Sequence, residues 1–281
     1  MNFETIKFEL KENGIGILTL NRPEKLNAIS FQMEEELHEL LDYLMINLDC
    51  RVLILKGEGR AFCAGTDLQE GLILNSKKQP AGYEKFYYLN ISEPVKRKMY
   101  HQWRISQIYI KMRKISQPII SLIHGAAVGG GFGFAMASDI RFASDDAKFI
   151  NGSINIGLTG ADVGGSYFLP RLIGMARASE ILYSGRNVDG REAEKIGLVF
   201  RTVEKEKLLE VGLEKAEELL KKSPLGLRMT KQAINLSMDS PSLENISQFE
   251  NSSIVLTFSS KDVMEASSAF FEKRDPKYPL R

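Results

Sequence analysis

The stretch HGAAVGGGFGFAMASD, residues 124–139, decides the fold of this chain. The apolar run before it has the composition of a buried strand and the run after it that of a helix, so three consecutive glycines stand at a strand-to-helix junction. Giving up side chains there lets the backbone approach another group closely. A helix N-terminus adds N–H groups that lack intrahelical partners and carry positive partial charge, which suits an electron-rich atom. Two nucleotide sites are excluded: GGGFGF does not give GxGxxG with an acidic residue at the right distance, and no phosphate-binding lysine follows the glycines. Taken alone, the stretch also fits close helix–strand packing through glycine, with no ligand.

A second strand end has the same character. CRVLILKGEG, residues 50–59, runs into RAFCAGTDL, residues 60–68, and small residues at both junctions let two backbone N–H groups reach one bound atom. Before it, TIKFELKENGIGILTLNRPEKLNA (5–28) predicts a hairpin about KENG with a Pro-marked stop. The segment 30–49 then places Phe31, Leu37, Leu40, Leu41 and Leu44 at helical spacing behind Ser30 as N-cap. From Gln69 to Pro94 the periodicity dissolves over a length that belongs to a lid or to disorder, and the aromatic cluster FYYL favours a lid. A helix over 95–116 precedes the strand of the opening stretch. The order strand, loop, helix, strand, Gly-rich turn, helix predicts right-handed crossovers and a parallel sheet in an α/β fold. After DIRFASDDAKF (139–149) the chain turns mostly helical.

The 281 residues are 43% hydrophobic and 26% charged, which is globular composition with material for a sizeable core. Lys+Arg 37 against Asp+Glu 36 leaves a net charge of +1, so no global field calls for nucleic acid or a membrane surface. Cys50 and Cys63, with neither a leader nor a membrane-spanning run, point to a reducing cytoplasm. His38, His101 and His124 form no metal-type cluster, so no metal is expected.

The motifs together resemble the enoyl-CoA hydratase/isomerase (crotonase) family. They are LNRPEKLNA (20–28), GRAFCAGTDL (59–68), HGAAVGGGFGFAMASDIRFASDDAKF (124–149) and GLTGADVGGSYFLPRLIG (157–174), followed by GREAEKIGLV, SPLGLRMTKQAI and FFEKRDP. The resemblance implies a spiral of ββα turns over 1–200 that binds acyl-CoA, and a C-terminal helical region over 201–281 that builds a homotrimer or hexamer. It implies that the backbone N–H groups of Thr66 and Gly130 hold the thioester oxygen, a preorganised donor being worth roughly 3 kcal/mol in comparable sites. It places CoA near Ala28, Ala64, Asp67 and Leu68, with CoA entering as part of the substrate and no separate cofactor. Arg22 and Lys25 stand where they could meet CoA phosphates or simply face water.

The hydratases of that family carry two glutamates around the substrate, and the matching positions here are Gly133 and Ser153. Ordinary water addition needs a group for the water and a proton source for the α-carbon, and glycine supplies neither. Asp162, in GADVGGSYFLPR, is the acid left in the region; relatives with a catalytic aspartate carry a similar segment, although the run from Gly157 to Asp162 is one residue longer here. Asp162 equally suits an N-cap for a helix beginning near Val163. Asn151, Ser153 and Asn155 read as turn residues or as polar contacts to substrate, His124 as a strand end, Cys63 as small packing, and Tyr100 and Trp103 as pocket, core or trimer contacts. An enoyl-CoA isomerase or atypical hydratase with Asp162 as acid/base leads. A CoA thioester hydrolase, a carbon–carbon or carbon–halogen cleaving relative, and a non-catalytic acyl-CoA binder stand as alternatives.

Overall fold

The computed structural model describes residues 1–75, 82–240 and 242–278. KENG closes the expected hairpin: β1 (Ile6–Leu10) and β2 (Ile15–Leu20) pair antiparallel, and Lys11 donates its N–H to Ile15 O at 2.9 Å. α1 (Phe31–Ile46) follows, its N-cap Ser30 accepting from Met33 N at 3.1 Å, and β3 (Val52–Gly57) lies parallel to β2. Next come α2 (Leu68–Ile73), a 3-10 turn over Tyr87–Asn90 and the long α3 (Pro94–Lys114). The opening stretch folds as β4 (Ile119–Ile123), β5 (Ala126–Val128) and α4 (Gly130–Ala137), and β6 (Ile140–Ser144) and β7 (Lys148–Ile150) follow. α5 (Gly165–Ile173), α6 (Met175–Ser184), β8 (Asn187–Asp189), α7 (Gly190–Lys195) and β9 (Arg201–Val203) complete the part that carries the sheets. The chain ends in α8 (Leu208–Leu220), α9 (Pro224–Asp239), α10 (Leu243–Phe258) and α11 (Lys261–Glu272).

The main sheet has the order β1-β2-β3-β4-β6-β9, parallel beyond the first hairpin, and a second sheet has the order β5-β7-β8. Isolated parallel pairs, Ile29 with Thr66 and Cys63 with Ala127, carry the extended geometry on between successive turns of the chain. Each turn therefore lays one strand in the main sheet, one short extended piece beyond its carboxyl end, and then helix. This is the spiral of ββα turns. Its period varies because the helical part differs in length at every turn, which is why no repeat is visible in one dimension.

The inner strands β2, β3, β4 and β6 of the main sheet are buried on both faces, as a parallel sheet requires. Leu53 and Leu55 pack toward α1, α3 and α4 with Leu37, Leu41, Ile108, Met112 and Phe134, while Val52 and Ile54 face α8 with Ile120, Leu122, Leu208 and Ala216. Each such side chain taken fully from water contributes roughly 1.5–3 kcal/mol, so β3 is anchored from two sides. The sheet and its covering helix run past residue 200, through β9 and α8, before α9 to α11 begin.

Part of the aromatic segment 69–94, residues 76–81, lies outside the described residues. Its flanks pack as a third apolar cluster, in which Phe31 meets Leu74, Phe86, Tyr88 and Leu89. Among the described residues no helix is long and apolar enough to cross a membrane.

Candidate active site

The two glycine-bearing junctions meet. A Cβ on Gly131 would lie 2.1 Å from the carbonyl oxygen of Cys63, and one on Gly65, where φ is +89°, would lie 2.7 Å from Val128 O and 3.3 Å from Gly130 N. Any side chain at either place would drive the junctions apart. Close packing through glycine is therefore real, and it brings Gly65, which precedes Thr66 in the chain, against Gly130. The pairing of Ile29 with this segment uses Gly65 O and Asp67 N, on either side of Thr66. Gly130 opens α4, where no intrahelical carbonyl is in reach. Neither the Thr66 nor the Gly130 N–H donates to a protein group among the described residues.

Thr66 and Gly130 both line a cleft of about 800 Å³ whose walls also include Ala64, Leu68, His101, Gln102, Ser153 and Asp162. The carboxylate of Asp162 is held on three sides: Gln102 Nε2 donates to Oδ1 at 2.7 Å, Ser153 Oγ donates to Oδ2 at 3.1 Å, and the Val163 N–H donates to Oδ1 at 2.8 Å. A second, more apolar cavity of about 680 Å³ between α3, α5 and α9 contains neither of the two free N–H groups nor Asp162.

Asp162 does not cap a helix. α5 starts at Gly165 behind Gly164, with no side-chain cap, because the chain passes through left-handed geometry at Val163 (φ +47°) and Gly164 (φ +78°) first. A β-branched residue at positive φ is costly and persists only where its surroundings enforce it. Here the reversal aims the aspartate into the cleft instead of along α5.

Gly133 and Ser153, the positions where the resemblance implies glutamates in the hydratases, each have a defined neighbour. The ring of Tyr109 fills the space beside Gly133, 2.7 Å from where a Cβ would stand. Tyr109 is buried and donates its hydroxyl to Gly130 O at 3.1 Å, and burial pushes its phenol well above the ordinary range, so it remains a donor. Ser153 points at Asp162 rather than serving as a plain turn residue.

Of the residues placed near CoA, Ala64 and Leu68 line the cleft. Asp67 turns away, accepting from Gln69 N at 3.0 Å as the N-cap of α2 and pairing with Arg22 at 3.1 Å. Arg22 also donates to Ala28 O at 2.6 Å, so this arginine is tied inward, while Lys25 Nζ reaches Gln69 Oε1 at 3.2 Å. Asn151 and Asn155 hold the backbone carbonyls of Gly160 and Gly185. His124 ends β4 buried against Gly59 O, and Cys63 is buried with its thiol pushed up to about 12 by burial. Trp103 lies on the exposed side of α3, its ring tilted by 45° to that of Tyr100 with centroids 5.6 Å apart.

Sequence reasoning missed the contribution of α3. Gln102, Ser106 and Tyr109 recur at i, i+4 and i+7 on one helix face, a pattern that marks a shared surface without naming what it meets. On the neighbouring position His101 Nδ1 lies 3.0 Å from Glu34 Oε2, and Glu34 is fully buried and paired with Arg104 Nε at 2.6 Å. Among the described residues no three His, Cys, Asp or Glu side chains gather as metal ligands.

Known proteins match both sequence and fold. A family model described as enoyl-CoA hydratase/isomerase matches residues 10–280. The chain is 34% identical over 263 residues to a protein of Mycobacterium bovis named "Probable enoyl-CoA hydratase echA12", covering 93% of this chain and 88% of that one. It is 32% identical over 270 residues to the 1,2-epoxyphenylacetyl-CoA isomerase of Escherichia coli, covering 95% of each. The fold matches the crystal structure of an enoyl-CoA hydratase from Bacillus anthracis with a TM-score of 0.86 and 29% identity, over 99% of this chain and 100% of the other. Matched along nearly its whole length, the chain belongs to the enoyl-CoA hydratase/isomerase family of enzymes.

Proposed function

We propose that this enzyme binds an unsaturated acyl-CoA, holds its thioester oxygen with the N–H groups of Thr66 and Gly130, and moves a proton along the acyl chain with Asp162. The observation that carries this reading is that two unspent backbone donors and one restrained carboxylate share a single cleft. A thioester oxygen gains negative charge when a proton leaves an adjacent carbon, and fixed donors stabilise that charge by roughly 3 kcal/mol each in comparable oxyanion sites. Asp162 takes the proton from one carbon and returns it to another two positions away, which shifts the double bond and restores the carboxylate. One carboxylate suffices for that reaction, and this favours isomerisation.

CoA enters as part of the substrate, with its pantetheine and adenine running past Ala64 and Leu68 and the backbone around Ala28 and Asp67. The exposed Phe258, Phe270 and Phe271 on α10 and α11 support a homotrimeric or hexameric assembly through the C-terminal helices. Two free, buried cysteines fit a reducing cytoplasm.

The test is turnover of a panel of enoyl-CoA and other acyl-CoA thioesters in deuterated buffer by wild type and Asp162→Asn. Double-bond migration with solvent deuterium entering the chain, lost in D162N, supports the reading. Tight binding of every thioester with no exchange and no reaction replaces it with a non-catalytic binder, and CoA release unaffected by isomer geometry replaces it with a hydrolase.

A further inference from the structure

The three histidines differ in what their second ring nitrogen does. His38 Nε2 lies 3.1 Å from Arg104 O, and His124 Nε2 lies 2.9 Å from Gly59 O, so each is spent on a backbone carbonyl. His101 turns Nδ1 to Glu34, and its Nε2 has no protein partner among the described residues, although the residue is only 6% exposed. It stands beside Gln102, the residue that restrains Asp162, and both line the cleft.

Its surroundings fix the ring. Tyr88 stacks on it at 6.1 Å with a 20° tilt, and Phe31 meets it edge-on at 5.2 Å. Glu34 is completely buried, and its charge is met by Arg104, which also reaches Glu35 at 2.8 Å. The Glu34–His101 contact is short but off the straight line of a good hydrogen bond, a geometry that commonly tightens once substrate is bound. A network needed only to join α1 to α3 has no use for an imidazole whose free nitrogen is left beside the reacting cleft.

We propose that His101, oriented by Glu34, is a second proton-transfer group of this cleft and that it activates water for addition to a conjugated enoyl-CoA. The proposal rests on the reading of Asp162 and the two N–H donors given above. His101 Nε2 takes a proton from water while the water oxygen bonds to the β-carbon. The π pair of the double bond moves toward the α-carbon and the thioester oxygen, where Thr66 and Gly130 hold it, and the proton that His101 has taken passes by way of the Asp162 carboxylate to the α-carbon. Both groups end as they began, and nothing is oxidised or reduced. Glu34 is a positioning residue. Two groups thus replace the two absent glutamates from different elements of the fold.

The experiment measures water addition to a short 2-enoyl-CoA, followed by loss of the conjugated absorbance, together with α-proton exchange of the matching 3-enoyl-CoA, in wild type, His101→Gln and Asp162→Asn. The expected result is water addition by wild type, and a fall in H101Q on the order of 100-fold greater than any fall in its α-proton exchange. Nitrogen NMR of the three histidine rings gives a second readout that needs no variant of His101: with His38→Gln and His124→Gln assigning the spectrum, the Nε2 signal of His101 moves when a saturated acyl-CoA binds. H101Q hydrating within about threefold of wild type, an Nε2 signal that does not move, or a wild type that exchanges protons but never adds water overturns the proposal and leaves the Asp162 reading standing. Absence of α-proton exchange in wild type overturns that reading itself.

Discussion

The ring of Tyr109 occupies the space that a side chain at Gly133 would need, its Cε1 standing 2.7 Å from the Cβ position and its hydroxyl 3.0 Å. The glycine and the tyrosine are therefore one packing unit, and a glutamate at Gly133 has no room beside this ring. Gly133→Ala is expected to destabilise by about 1–3 kcal/mol through overpacking, and Gly133→Glu by more, without adding hydratase activity. Urea unfolding checks the first, and a G133E variant that folds normally and hydrates faster than wild type sinks the second. Combining G133A with Tyr109→Leu is expected to cost less than the sum of the two single changes, because the pair shares one space.

Asp162→Asn keeps the shape of the side chain and removes its carboxylate. Its turnover is expected to fall about 10²- to 10⁴-fold with little change in KM. Ser153→Ala and Gln102→Leu each remove one hydrogen bond to the carboxylate. Such bonds to a charged group are worth about 1.5–3 kcal/mol, so losses of roughly ten- to a hundredfold in kcat are expected. Steady-state kinetics with one responsive enoyl-CoA decide this; unchanged kcat in both variants would mean that the carboxylate needs no restraint.

His38 supplies a pH-dependent stability term. Burial, then the nearby Arg104 and Lys111 charges, hold its pKa down at about 4 from the usual 6.5. With the folded value below the unfolded one, the contribution is fully present above pH 6.5 and is lost as pH falls toward about 4, where the unfolded chain binds a proton that the folded chain refuses. Unfolding free energy is expected to drop across that window by up to about 3 kcal/mol from this residue. A His38→Gln variant should show a shallower slope over the same range in chemical denaturation.

Burial pushes both thiols, Cys50 and Cys63, up to about 12. Neither is expected to react with an aromatic disulfide reagent at pH 8 in the native state, and both should react at once in denaturant. Rapid native labelling of Cys63 would contradict the tight seat of its loop against Gly131.

Periodicity and turn chemistry were enough to identify the hairpin, α1 with its Ser30 cap, the buried strands and the glycines at two strand ends, because these depend on near neighbours in the chain. The motifs carried the family. Asp162 was visible as a residue, but its direction was not. A cap and a cleft carboxylate have the same local sequence, and the left-handed step at Val163 separates them. The 69–94 segment likewise showed its aromatic residues but not that its described flanks would cluster on Phe31.

What the amino-acid sequence determined alone is the order of elements and the small residues where strands end. Only the tertiary structure decided that Gly65 lies against Gly130, that Tyr109 fills the place beside Gly133, and that Glu34 on one helix meets His101 on another. The reason is physical: period and propensity are set within a turn or two of backbone, whereas these meetings follow from parallel strands stacking β2, β3 and β4 side by side and returning distant loops to the same edge of the sheet.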